Sequence, residues 1–346
     1  MTDSAHSLRA FINALPKTET HLHMEGALPW RLLQELDGIK YAATPPSWEG
    51  HFKFRDFAHF DEQLLGHALA WYVSPERYHE AAKVVFRELQ EQNVHYVETS
   101  FASGVIEFLG VDGKGILDGL LAAVPEGMEV RIFMGIHHGG MNEKMLPVIE
   151  EALTWDGLAG IDLHGTETLP VDEIAPRLWR EARETGKFTK AHAGEFCGAE
   201  FVRYVIEELG AQRIEHGVRA VEDPAVLALI RERDLTLDVC PISNVKLMPG
   251  ITRDNHPIRE LFDAGVRCTV STDDPLVFGN KLADEYELLH VHRGFSRAEL
   301  VRIARNGFEA ALLCEEHRQA LLEEFDRTAA SLLEGSAEQR DCPADA

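Results

Sequence analysis

Two histidines two residues apart, His21 and His23 in Thr20-His21-Leu22-His23-Met24-Glu25-Gly26-Ala27, are the first residues able to do chemistry. In an extended strand alternate side chains share a face, so both imidazoles project to one side, roughly 6–7 Å apart along the backbone. Leu22 then points the other way, toward a covering helix. Neutral nitrogen donors on a stiff element suit a metal ion. Taken alone, such a pair is more often two unrelated histidines near a sheet edge.

Further polar clusters follow: Asp162-Leu163-His164-Gly165, His192-Ala193-Gly194-Glu195, Glu215-His216-Gly217 and Ser271-Thr272-Asp273-Asp274-Pro275. Each has a bland reading. His216 could be a hydrogen-bonded core histidine, Asp273-Asp274 a loop cap before proline, and Glu195 an acid stabilised at a helix N-terminus. Together, three histidines from the first and fifth strands and one carboxylate from the eighth form an N/O donor set for Zn²⁺ or a similar divalent ion. Such a set leaves a position for water, so the site is catalytic. A closed structural zinc would draw on cysteines, and Cys197, Cys240, Cys268, Cys314 and Cys342 are scattered without CxxC spacing. Water acidified by the metal points to hydrolytic attack on an electrophilic carbon or phosphorus.

The elements that must position these residues alternate along the chain. Apolar spacing predicts a short helix within Met1 to Pro16 and an opening strand at Thr20 to Glu25. A helical, lid-like insertion follows over 29–91, with helices at Trp30 to Leu36, Phe57 to Ala70 and Pro75 to Gln90. Seven more strands are expected at Val94 to Phe101, Glu129 to Ile136, Leu158 to Leu163, Phe188 to Ala193, Arg213 to Val218, Leu235 to Pro241 and Val266 to Asp273. Helices are expected after most of them, including Met141 to Thr154, Val171 to Thr185, Ala199 to Leu209, Pro224 to Arg233 and Pro257 to Ala264. Eight strands alternating with helices predict an α/β fold, a (β/α)₈ TIM barrel, with extra C-terminal helices and catalytic residues at the strands' C-terminal ends. An open doubly wound sheet is the competitor, without a GxGxxG or Walker-type loop to support it. One domain is expected over 1–346, with a polar tail at 335–346 that frays.

Composition narrows the partners. Lys and Arg number 34 against 58 Asp and Glu, a formal charge of −24, so a polyanion is repelled over most of the surface and no nucleic-acid partner is expected. An uncharged nucleoside is not excluded. The odd, scattered cysteines fit a reducing compartment, and no apolar run is long enough for a signal peptide or a membrane span, so a cytoplasmic protein without a membrane partner is expected. The oligomeric state is not written in the sequence.

In order and spacing, His21-x-His23-x-Glu25-Gly26, His192-Ala193-Gly194-Glu195, Arg213-Ile214-Glu215-His216-Gly217 and Ser271-Thr272-Asp273-Asp274-Pro275 resemble the adenosine and adenine deaminases of the amidohydrolase superfamily, from about Leu15 to Leu312. The resemblance implies one Zn²⁺ per subunit on His21, His23, His192 and Asp273. Asp273 would also take a proton from the attacking water. Glu195 would carry a proton to purine N1, a task that needs a raised pKa. His216 would orient the nucleophile, Asp274 would meet N7, and the Gly165 N–H would reach N3; His23, Glu25, Gly165 and Asp274 complete the substrate contacts. The other zinc deaminase design, with H-x-E and P-C-x-x-C, fits only His23-Met24-Glu25, because Cys240-Pro241 is followed by Ile242, Ser243 and Asn244.

The implied substrate is a 6-aminopurine compound, converted to the 6-oxo product and ammonia. Glu25, where adenosine deaminases carry Asp, resembles the adenine branch, as do Arg213 to Arg219 and Cys240 to Leu247. Thr272 to Phe278 resembles the nucleoside enzymes, and Ser100-Phe101-Ala102-Ser103-Gly104 replaces the phenylalanine-rich motif of adenine deaminases. An adenosine-type nucleoside is the first choice, with adenine deaminase as the alternative. His164 stands where a small residue is usual, and His137-His138-Gly139-Gly140 ends the third strand. If these line the pocket rather than a solvated loop, they could receive an acidic substituent, as in aminodeoxyfutalosine, handled by relatives of this family. A metal-dependent ester or amide hydrolase is the other reading, without the strand-four lysine of binuclear relatives.

Overall fold

The structure is a computed structural model that describes residues 3–338, with side chains over 7–334. Its frame is eight strands: β1 Lys17–His23, β2 Val94–Ala102, β3 Glu129–His137, β4 Leu158–His164, β5 Phe188–Ala193, β6 Arg213–His216, β7 Thr236–Val239 and β8 Arg267–Val270. They lie in the order β1-β2-β3-β4-β5-β6-β7-β8, each parallel to the next. The Asp273 N–H donates to the His21 carbonyl at 3.1 Å, and the His23 N–H donates to the Asp273 carbonyl at 3.2 Å. These two bonds join the end of the eighth strand segment to β1, which makes the sheet a barrel and rules out the doubly wound order.

Several strands differ from expectation at their C-terminal ends, and the cause is local. The sixth was expected to reach Val218, but His216 takes φ 63° and Gly217 φ 68°, which turns the chain out of the strand. The eighth was expected to reach Asp273; it stops at Val270, and Asp273 sits at φ 65°. Non-glycine residues at positive φ are strained and persist where the surroundings hold them. The opening strand ends at His23, so Glu25 lies in the loop beyond it. Pro241 starts a helix rather than ending the seventh strand.

The insertion helices form at Trp30–Leu36, Phe57–Ala68 and Pro75–Glu91. Helices at Ser103–Leu109, Gly113–Ala122 and Pro241–Leu247 were not expected. Every residue of Pro241–Leu247 is buried, and a helix covered on all sides carries no apolar stripe to read. The last helix is Glu315–Glu338, so the tail expected at 335–346 begins within it and otherwise lies outside the described residues, as does Cys342. Among the described residues no helix is long and apolar enough to cross a membrane.

Below the mouth, the barrel interior is charged. Lys190 Nζ lies 2.8 Å from Glu98, 2.7 Å from Glu215 and 3.6 Å from Asp238, and Arg213 pairs with Glu98 at 2.5 Å. Both cations and all three carboxylates are buried. Removing one member of such a set leaves the others uncompensated in a low-dielectric interior. Glu98→Ala is expected to lower stability by about 3–5 kcal/mol, read as a reduced midpoint in urea unfolding.

Candidate active site

Four histidines and three acids converge at the C-terminal mouth of the barrel. One ligand atom each from His21, His192, His216 and Asp273 lies within 4.8 Å of the others, and His23, Asp273 and Asp274 form a second such group. His21 Nε2 is 3.4 Å and His23 Nε2 3.3 Å from Asp273 Oδ1, and His23 Nε2 is 3.1 Å from His192 Nε2. His21 Nε2 is buried with no hydrogen-bond partner. A bare, buried nitrogen among such donors fits a cation.

The opposite ring nitrogens explain why these atoms face inward. His21 Nδ1 meets the Asp238 carbonyl at 3.1 Å and Glu215 Oε2 at 3.0 Å; His192 Nδ1 meets the Leu163 carbonyl at 3.0 Å and Asp162 Oδ1 at 3.3 Å. These oxygens can only accept, so Nδ1 carries the hydrogen in both rings and Nε2 offers a lone pair. His23 Nδ1 is held by Ser100 Oγ at 2.9 Å.

His216 has the reverse arrangement. The Ile258 N–H donates to His256 Nδ1 at 3.2 Å, which leaves His256 Nε2–H to donate to Asn244 Oδ1 at 3.1 Å. Asn244 then turns its Nδ2 to His216 Nδ1, also at 3.1 Å. His216 Nδ1 must accept, so its Nε2 bears the hydrogen, 3.6 Å from Glu195 Oε2 and 4.0 Å from Asp273 Oδ2. The ring is a donor rather than an acceptor at this centre, unlike His21 Nε2, His192 Nε2 and the Asp273 carboxylate, with His23 Nε2 beside them. Asn244 belonged to a motif without an assigned role, and His256 carried no signal in the sequence.

Burial divides the carboxyls. It drives Glu195 well above the usual carboxylate range, helped by the Asp273 charge, and does the same to Asp274 with Asp273 again adding to it. Asp273 resists the same burial and stays well below that range because it faces His21 and His23. Two carboxyls with raised pKa thus flank one whose pKa is lowered. They sit at the base of a cavity of ≈ 320 Å³ that His164, Gly165, His137, His138, Phe60 and Phe108 also line.

The remaining expected residues fall around this centre. Glu25 Oε1 accepts from the Ala102 N–H at 3.0 Å and from the Tyr78 hydroxyl, so the insertion braces Glu25 besides walling the cavity. His164 stacks on His23 with ring centroids 5.3 Å apart, and burial holds its pKa well below the usual imidazole range. Gly165 takes φ 87°, a conformation that suits glycine, and its loop borders the cavity. His138 is buried with Nδ1 3.0 Å from the Leu169 carbonyl, while His137 is 3.7 Å from Glu107.

A parallel eight-stranded barrel with a buried His/Asp donor cluster at its C-terminal mouth defines a hydrolase of the amidohydrolase superfamily, with a site that fits a metal. The family model described as adenosine deaminase matches residues 16–328, and the chain belongs to that family of C–N hydrolysing deaminases. Adenine deaminase of Stutzerimonas stutzeri (strain A1501) is 32% identical over 316 residues, covering 87% of this chain and 98% of the relative. Aminodeoxyfutalosine deaminase of Streptomyces coelicolor is 30% identical over 344 residues, covering 96% of this chain and 89% of the relative. Among solved structures, an amidohydrolase of Burkholderia ambifaria with bound Zn matches with TM-score 0.81 at 23% identity, covering 96% of each chain.

A Cβ on Gly26 would lie 1.7 Å from Asp274 Oδ1, so only glycine lets Asp274 keep its place. Gly26→Ala is expected to lower kcat/KM by at least about 10-fold, the effect of roughly 1.4 kcal/mol at the transition state, while bound metal measured by elemental analysis stays unchanged.

Proposed function

We propose that this protein is a zinc-dependent purine deaminase that replaces the 6-amino group of an adenosine-type nucleoside with oxygen and releases ammonia. The observation that carries this reading is the pair of buried carboxyls, Glu195 and Asp274, lining the cavity beside the donor set, where burial and the Asp273 charge raise their pKa. The 6-amino group feeds electrons into the purine and makes C6 a weak electrophile, so attack by water needs proton donors at the ring nitrogens, and the pair supplies two.

In this reading His21, His23, His192 and Asp273 hold the metal, which when bound supplies a nucleophile at neutral pH by acidifying water. Asp273, kept ionised, takes the proton of the attacking water. Glu195 delivers its proton to N1 and so makes C6 electrophilic. His216 directs its Nε2–H at the developing charge. Asp274 donates to N7, and the Gly165 N–H meets N3.

Support for a nucleoside comes from the size and lining of the cavity. At ≈ 320 Å³ it lies at the low end of the roughly 300–1,000 Å³ range of ligand sites, and a free adenine ring would leave much of it unfilled. His138, neutral because burial lowers its pKa, uses its Nδ1–H on Leu169 and keeps Nε2 as an unpartnered acceptor. An acceptor suits a hydroxyl. The second reading, aminodeoxyfutalosine, draws on the same histidines with a proton on Nε2 to receive an acidic group, and on the Streptomyces coelicolor relative. Free adenine as substrate draws on Glu25 and on the Stutzerimonas stutzeri relative. We place the reaction in the cytoplasm, where the free thiols Cys197, Cys240, Cys268 and Cys314 stay reduced.

An ammonia-release screen over adenosine, 2′-deoxyadenosine, adenine and aminodeoxyfutalosine decides among these substrates, with adenosine expected to show the highest kcat/KM. A higher value for adenine or aminodeoxyfutalosine overturns the nucleoside choice, and the absence of bound zinc overturns the mechanism. A general acid must carry its proton, so kcat/KM is expected to fall as pH rises through the raised pKa of Glu195. Glu195→Gln is expected to remove that alkaline limb and lower kcat about 10²–10⁴-fold, measured as a pH–rate profile.

A further inference from the structure

The segment that carries Glu195 has no ladder of its own. Residues 194–197 run between β5 and the helix Ala199–Tyr204, and their backbone N–H groups need acceptors. One side chain provides all of them. Glu167, from the loop after β4, places Oε1 2.5 Å from the Gly194 N–H. Its Oε2 accepts from the Glu195 N–H at 3.1 Å, from the Cys197 N–H at 3.0 Å and from the Phe196 N–H. The Cys197 thiol returns a contact to the Glu167 carbonyl at 3.4 Å. Glu167 is 3% exposed, so water does not share this task.

Glu167 also lies two residues from Gly165. Its carboxylate therefore ties the loop expected to meet purine N3 to the loop that delivers the proton to N1. We propose that Glu167 is a positioning residue for the proton transfer, gripping the Gly194–Cys197 backbone so that Glu195 stays 3.6 Å from His216 Nε2 and in register with Gly165. The proposal rests on the reading of Glu195 as proton donor. Four donors converging on two oxygens need a carboxylate. An amide would turn an NH₂ group toward at least one of them, leaving a donor facing a donor.

The consequence falls on the transition state. A displacement of about 1 Å at a proton donor costs on the order of 10² in rate, while Asp274 and the cavity walls still hold the ground-state purine. The test compares the metal-loaded wild-type enzyme with Glu167→Gln and with Glu167→Asp, which keeps the charge but is one methylene short. Measured are kcat, KM, the affinities for the 6-oxo product and for a tetrahedral 6-hydroxy purine nucleoside analogue, and amide hydrogen exchange of the peptide spanning Gly194–Cys197.

In Glu167→Gln, kcat is expected to fall on the order of 10²-fold with KM and product affinity nearly unchanged, while affinity for the tetrahedral analogue falls by the same factor as kcat/KM. Exchange is expected to quicken in that peptide alone, and Glu167→Asp is expected to lie between wild type and Glu167→Gln in each measurement. A folded Glu167→Gln with wild-type kcat overturns the proposal. So does a loss that weakens product and analogue alike, or unchanged exchange. If Glu167→Gln does not fold, Glu167→Asp carries the same comparison. If the wild-type enzyme releases ammonia from no 6-aminopurine, the functional reading fails, and the exchange of Gly194–Cys197 still decides the clamp.

Discussion

The hydrogen bonds between Asp273 and β1 are the constraint on which the rest of this molecule depends. They run from the Asp273 N–H to the His21 carbonyl and from the His23 N–H to the Asp273 carbonyl. The same residue thus closes the barrel with its backbone and faces two imidazoles with its side chain. To do both, it takes φ 65°, a conformation that costs a non-glycine residue energy. Closure of the sheet and assembly of the donor set are one event. A chain that failed to close would lose the carboxylate from the site, and a chain without the carboxylate would keep the seam but lose its ion partner.

Electrostatics then works in layers along the barrel axis. Lys190 and Arg213 pair with Glu98, Glu215 and Asp238 in the lower layer, and Glu215 reaches up to His21 Nδ1. The histidines are aimed by these acceptors, so the order of the upper layer is inherited from the lower one. At the mouth three carboxyls of similar burial are pushed apart: His21 and His23 hold Asp273 well below the usual carboxylate range, and its charge adds to burial in raising Glu195 and Asp274. Acid and base roles at one pH follow from environment rather than residue type.

The insertion between β1 and β2 does more than cover the site. Tyr72 donates to the Met24 carbonyl at 2.6 Å and Tyr78 donates to Glu25, so two aromatic residues of the insertion hold the loop that follows the two histidines. The rings of Tyr72 and Tyr78 pack 4.3 Å apart and buttress each other. The wall of the cavity and the geometry of Glu25 are therefore coupled, and the specificity argued from Glu25 depends on Tyr78 as well.

By itself the sequence determined the barrel and named residues that the structure gathers at its mouth. Eight alternating elements are written in local apolar patterns, and strand alternation alone puts His21 and His23 on one side. It also carried the motifs of Glu195, His216 and Asp273-Asp274 in the right strand-end places. The strand ends themselves were misjudged by a few residues, because positive φ at His216 and Asp273 is imposed by the assembled site and leaves no trace in residue type. Pro241–Leu247 escaped because full burial erases helical periodicity. Only the tertiary structure decided which nitrogen of each ring faces inward, since Asp238, Leu163 and Asn244 are brought to the histidines by strand order. The grip of Glu167 on Gly194–Cys197 belongs to the same class: an acid in one loop and bare amides in another have no relation until the barrel sets β4 beside β5.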